Sequence, residues 1–112
     1  MLEKLNALVA SLQSLFDEVT IADDTVLQKS NTATVFVEKV NVSYLTSTRK
    51  RLQGRVGVIW NVPGAGNEVF STADTKLEQM LSFAEIEEVQ FSYVENLRKL
   101  FVYTRILLEW EV

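Results

Sequence analysis

A chain of 112 residues, 47% hydrophobic and 23% charged, has the size and composition of one folded domain that buries roughly two-thirds of the surface its unfolded form exposes. It contains no cysteine and no histidine, which excludes disulfide frameworks, thiolate metal sites and the triads and zinc chemistry that rely on imidazole. The net charge of −4 runs against generic nucleic-acid binding, where surplus Lys and Arg neutralise phosphates, and no apolar stretch approaches the ~20 residues that cross a bilayer.

In chain order, Leu2, Leu5, Leu8, Val9, Leu12, Leu15 and Phe16 recur at helical spacing, which predicts an amphipathic helix over about residues 2 to 17. Val19, Ile21 and Val26, interrupted by Asp23-Asp24, predict a short strand running into a turn. From Ala33 to Tyr44 the chain is rich in Val, Phe, Thr and Tyr. Phe36, Val40, Val42 and Tyr44 share one parity while Val35 and Val37 hold the other, so both faces of this strand are expected to be partly covered. Leu52, Val56, Val58, Trp60 and Val62 alternate with Gln53, Arg55 and Asn61, the pattern of a strand with one wet face. The polar connection Thr46 to Arg51 makes these two strands an antiparallel hairpin.

Pro63-Gly64-Ala65-Gly66-Asn67 ends the hairpin, and Ser71-Thr72-Ala73-Asp74 reads as a capping box opening a second helix striped by Ala73, Leu77, Met80, Leu81 and Ala84. Glu85, Glu87 and Glu88 lead out of it. Val89, Phe91 and Tyr93 then alternate to a turn at Glu95-Asn96. Leu100, Val102, Thr104, Ile106, Leu108, Trp110 and Val112 keep one parity to the last residue, about twice the usual strand length. The expected architecture is a single α+β domain over residues 1–112. Its order is α-β-β-β-α-β-β, with a mostly antiparallel four- to five-stranded sheet and two helices on one face.

Chemistry-bearing clusters are few. Arg49, Lys50, Arg51 and Arg55 concentrate positive charge at the hairpin tip, which reads as a patch for an acidic partner or as a solvated loop protecting an edge strand. Asp23-Asp24 and the three glutamates match no cation-ligand pattern. The Pro63–Gly66 segment lacks the offsets of a phosphate-cradling loop and reads as a turn. Trp60 and Trp110 fall on the apolar parity and are expected in the core. Asn61 has no evident partner. Phe101, Tyr103 and Leu107 lie on the opposite, nominally wet parity of the last strand, which marks that face as a subunit contact.

The N-terminal helix, the basic-tipped hairpin ending in Trp60-Asn61-Val62-Pro63, the capped helix from Ser71 and the terminal strand Arg105–Val112 together resemble the tail terminator and tail-completion proteins of long-tailed bacteriophages. The resemblance covers the whole chain in element order and size. It implies a structural protein with no active site and no cofactor, made in the host cytoplasm and carried in the virion at the head–tail junction. It also implies a self-associated ring, typically a hexamer, that contacts the tail tube protein on one side and the head–tail connector on the other, with neither membrane nor sequence-specific nucleic acid as partner. Arg49, Lys50, Arg51, Arg55, Phe101, Tyr103 and Leu107 are the candidate interface residues. The layout also fits another phage neck or minor tail component, a non-viral oligomeric α+β subunit, or a small-molecule binding domain with a pocket between sheet and helices.

Overall fold

The N-terminal apolar stripe forms helix α1, Leu2–Leu12, in a computed structural model that describes all residues from Met1 to Val112. The helix is shorter than its periodicity implies. Leu15 and Phe16 donate backbone hydrogen bonds to Leu12 in a tightened exit turn, and the Ser14 hydroxyl bonds back to Ser11, so the apolar spacing continues where the helix does not. Phe16 is still buried and meets Trp60 with ring centroids 5.5 Å apart. Lys76 caps this exit by donating to the Leu15 carbonyl at 2.5 Å, its ammonium 4.7 Å from the Phe16 ring. Burial pushes the Lys76 pKa down, opposed by the charge of Asp17.

Strand β1, Glu18–Ile21, is followed by a short 3₁₀ helix, Asp24–Gln28, which forms the turn expected after the strand and holds Val26. Asp23 caps it by accepting from the backbone and hydroxyl of Thr25, which lowers the Asp23 pKa. Strands β2, Thr32–Tyr44, and β3, Lys50–Pro63, form the predicted hairpin. Helix α2 spans Asn67–Leu81, beginning four residues before the predicted capping box. Gly66 is its N-cap at φ +70, a conformation that favours glycine, and Ser71 lies inside the helix, its carbonyl accepting from the Thr75 hydroxyl. The Glu-rich segment expected at the helix exit opens strand β4, Glu85–Val94, and β5, Lys99–Glu111, is the long final strand.

The sheet has five strands in the order β1-β2-β3-β5-β4. Every pairing is antiparallel except β1 with β2, which is parallel, so the sheet is mixed within the α+β class expected. Both helices cover one face. Leu5, Leu8 and Leu12 of α1 and Val69, Ala73 and Met80 of α2 pack on a core that includes Val35, Val58, Trp60, Val102 and Ile106, all of one parity. Burying each such side chain contributes about 1.5–3 kcal/mol. Trp60 is fully buried, and its indole donates to the Thr104 hydroxyl at 2.9 Å, which satisfies both groups.

The opposite face is covered only at one end, where the loop containing the 3₁₀ helix folds across it. Asn61, left without a partner by the sequence pattern, is the clasp. Its amide oxygen accepts from the Asn31 backbone at 2.8 Å, and its nitrogen donates to the Lys29 carbonyl and the Thr32 hydroxyl, both at 3.0 Å. Lys99 adds a bond to the Gln28 carbonyl at 2.8 Å. Asn61 is fully buried on a parity expected to be wet.

Candidate functional site

The helices stop short of the hairpin's far end. Beyond Gly54 and Leu108, β2, β3 and β5 continue without helical cover, and the molecule reaches 54 Å in its longest dimension against 23 and 21 Å in the others. The direction in which each side chain of this extension points is set by one irregularity. The β2–β3 register breaks between Val37 and Lys39, with Glu38 as the extra residue of a β-bulge. Before the bulge Val35 and Val37 face the helices, and after it Val40, Val42 and Tyr44 do, so the two parities read from sequence fall on one side. Their cross-strand partners on β3 are Val58, Val56, Gly54, Leu52 and Lys50 in turn.

The helix-side face of the extension is therefore apolar and bare. Val42 is 47% and Tyr44 74% exposed, and Val40, Leu45 and Val112 are also open to solvent. Trp110, expected in the core, is only half-buried on this face, paired with Leu52 and resting against Gly54, where an added Cβ would come within 3.3 Å of its ring. The core ends one layer below it, which is why its parity was read correctly and its burial was not. Large apolar groups clustered outside a core mark an interaction surface.

The other face of the extension is polar and internally paired. Arg49 and Arg51 both reach Glu111, at 2.5 and 3.5 Å, and Gln53 bonds Glu109 at 2.8 Å. Arg55 pairs with Glu87 at 2.8 Å, and Arg105 bridges Glu38 and Glu88 at 3.2 and 2.9 Å. The hydrogen bond from Arg49 holds the Glu111 carboxyl below its ordinary value, and the Glu38 carboxylate raises the pKa of Arg105. Pairs this open to solvent are screened and add little to stability. Together they return the charge of the basic patch to the chain's own carboxylates.

The predicted interface residues separate accordingly. Arg49 is at the tip, while Lys50 and Arg51 already belong to β3. Lys50 lies on the helix-side face with its ammonium 5.8 Å from the Tyr44 ring, across the sheet from Arg51 and Arg55. Phe101, Tyr103 and Leu107 share the polar face with Arg51 and Arg55, and Leu107 sits directly opposite Arg55. All three are half-buried. Tyr103 stacks beside Phe36 at 6.4 Å and donates its hydroxyl to Glu38 at 2.6 Å, with burial first and that bond second raising its pKa. A polar groove lined by Glu38, Lys39, Asn41, Arg55, Glu87, Glu88 and Arg105 runs along this face without an apolar wall, unlike an ordinary small-molecule pocket.

Two features escaped the sequence reading. One is the bare apolar stripe of the hairpin. The other is an aromatic cluster at the far edge of the sheet, where Phe70 of α2 and Phe91 of β4 lie 6.5 Å apart, both about half exposed, beside Tyr93. The adjacent charges Glu38-Lys39, breaking the alternation of an apolar strand, were the available signal for the bulge.

The edges of the sheet are also open. β1 pairs with β2 only as far as Val35, so the outer edge of β2 from Val37 to Tyr44 has no partner strand, and β4 ends the sheet on the other side. Fold and surfaces define an α+β domain with an uncovered hairpin face and unpaired edges on β1, on the far part of β2 and on β4. No protein-family model matches the sequence, and no curated protein matches it. Among solved structures, a chain described as the virion of a native gene transfer agent (GTA) particle is similar over 96% of this chain and 90% of that chain, at 15% identity and a TM-score of 0.42.

Proposed function

We propose that the protein is a structural subunit of a bacteriophage or prophage tail that closes into a ring at the end of the tail tube, stops tube growth and joins the tail to the head. The observation that carries this reading is the apolar face of the hairpin extension, where Val40, Val42 and Tyr44 are exposed beside half-buried Leu52 and Trp110, which a solitary chain would leave against water. The element order, which resembles tail terminators from end to end, supports the viral setting. In this reading the chain is not an enzyme. Its partners are further copies of itself, the tail tube protein and the head–tail connector, and its location is the head–tail junction of the virion.

Arg49, Arg51, Arg55, Phe101, Tyr103 and Leu107 belong to the polar face and Lys50 to the apolar one, so a ring subunit presents two chemically different surfaces to different neighbours. The test is assembly. Electron microscopy and light scattering at increasing concentration should show closed rings. Tyr44→Asp, Tyr103→Asp, or charge reversal at Arg49 and Arg51 should block ring or tail assembly while circular dichroism stays unchanged. Normal tails from all of these variants would overturn the proposal.

A further inference from the structure

Two open edges and two exposed apolar clusters lie on the same sheet, at its opposite sides. We infer that they are halves of one contact: the free edge of β2 in one copy, Val37–Tyr44, receives the free edge of β4 from a second copy, continuing the sheet from subunit to subunit. The inference rests on the self-assembly reading above and adds which strands meet.

Strand direction favours it. β2, β3, β5 and β4 are successively antiparallel, so β2 and β4 run in opposite senses, and a neighbour placed beside β2 with its helices on the same face presents β4 antiparallel. Facing also agrees. On β2 the helix-side residues of the free edge are Val40, Val42 and Tyr44. On β4 they are Val89, Phe91 and Tyr93, whose β5 partners Thr104, Val102 and Leu100 belong to the buried parity. With Val42 beside Phe91, Tyr44 meets Val89 and Val40 meets Tyr93, and both exposed clusters are covered by one pairing. Asn41 and Ser43 then face Ser92 and Gln90 on the polar side.

Charge points the same way. In this register the acidic start of β4, Glu85 to Glu88, arrives at the end of the hairpin that carries Arg49, Lys50 and Arg51. Pairing β4 with another β4 would leave Val40, Val42 and Tyr44 of β2 uncovered. A contact between different edges is head-to-tail and continues to a third copy, closing into a ring when the rotation allows.

The absence of native cysteine makes the test clean. Ser43→Cys and Gln90→Cys chains, mixed under mild oxidation, should form a mixed disulfide dimer, because directly opposed residues fall within the reach of a disulfide. Ser43→Cys should link less to Glu88→Cys or Ser92→Cys, which sit two residues out of register. Val42→Lys and Phe91→Lys, both at exposed positions, should keep the monomer's circular dichroism and raise the concentration needed for half-assembly at least ~10-fold. Oligomers that form while Ser43→Cys links to none of the three β4 positions would overturn the edge pairing and leave self-assembly standing. A chain that stays monomeric and uncross-linked up to its solubility limit would overturn both.

Discussion

The base and the extension of the β2–β3–β5 sheet are made from the same three strands with the same alternation of apolar and polar side chains, and they differ in what lies over them. In the base, α1 and α2 seal Val35, Val58, Trp60 and Val102 completely. In the extension, Val42, Tyr44 and Trp110 continue the same face with nothing above. The contrast shows how a strand pattern specifies facing without specifying cover. An apolar parity is equally consistent with a core and with an interface, and only the length of the helices relative to the strands decides between them. On β2, β3 and β5 the strands outrun the helices.

The largest test of the comparison is Trp60→Ala in the base. It empties the most voluminous buried site and strips the Thr104 hydroxyl of its donor, and it should cost about 3–5 kcal/mol in denaturant unfolding. Next is Asn61→Leu. The Asn31 amide and the carbonyls of Lys29 and Leu27 lose their partner, so a loss of about 3 kcal/mol is expected, together with faster hydrogen exchange confined to residues 22–31.

The comparison itself is sharpest in a matched pair on one hairpin. Val58→Ala should cost about 2 kcal/mol, and Val42→Ala less than about 0.5 kcal/mol in the monomer while weakening assembly. Equal losses in the monomer would mean that the extension is covered after all. The smallest effect concerns the tip. Because Glu111 is held below its ordinary carboxyl value of 4.5, its contribution to stability is present above that value and fades as pH falls through the lowered one. The difference in Tm between the protein and Glu111→Gln should follow that course and shrink in high salt.

Much of the fold was readable because it is written in periodicities. The element order, the hairpin, the long final strand and the face taken by the helices follow from spacings of two and of three to four. What was missed depends on single residues or on events between elements. The early end of α1 comes from a turn that keeps Leu15 and Phe16 apolar while abandoning the helix. The start of α2 depends on Gly66 adopting positive φ, which a capping-box search from Ser71 overlooks. The parallel placement of β1 is a long-range pairing with no local signature. The basic residues at the hairpin tip were legible but their pairing was not, since Glu87 and Glu111 reach Arg55 and Arg49 only once β4 and β5 are in place. Phe101, Tyr103 and Leu107 were placed on the correct face, where Tyr103 already has an internal partner in Glu38.

The bulge at Glu38 separates the hairpin's facing from the stability of the domain. A strand repeats every two residues, so one supernumerary residue acts as a half-turn of phase: everything beyond it is rotated to the opposite side while everything before it is untouched. Removing Glu38 should leave the base folded, with its Tm little changed. The same deletion removes the extra residue together with its phase, so Val37, Lys39 and Val40 alternate regularly and Val40, Val42 and Tyr44 stay on the helix side opposite Gly54, Leu52 and Lys50. The surface chemistry of the extension is thus encoded by a count of residues as much as by their kind: the same residues threaded without a bulge would carry Val40, Val42 and Tyr44 on the salt-bridged side.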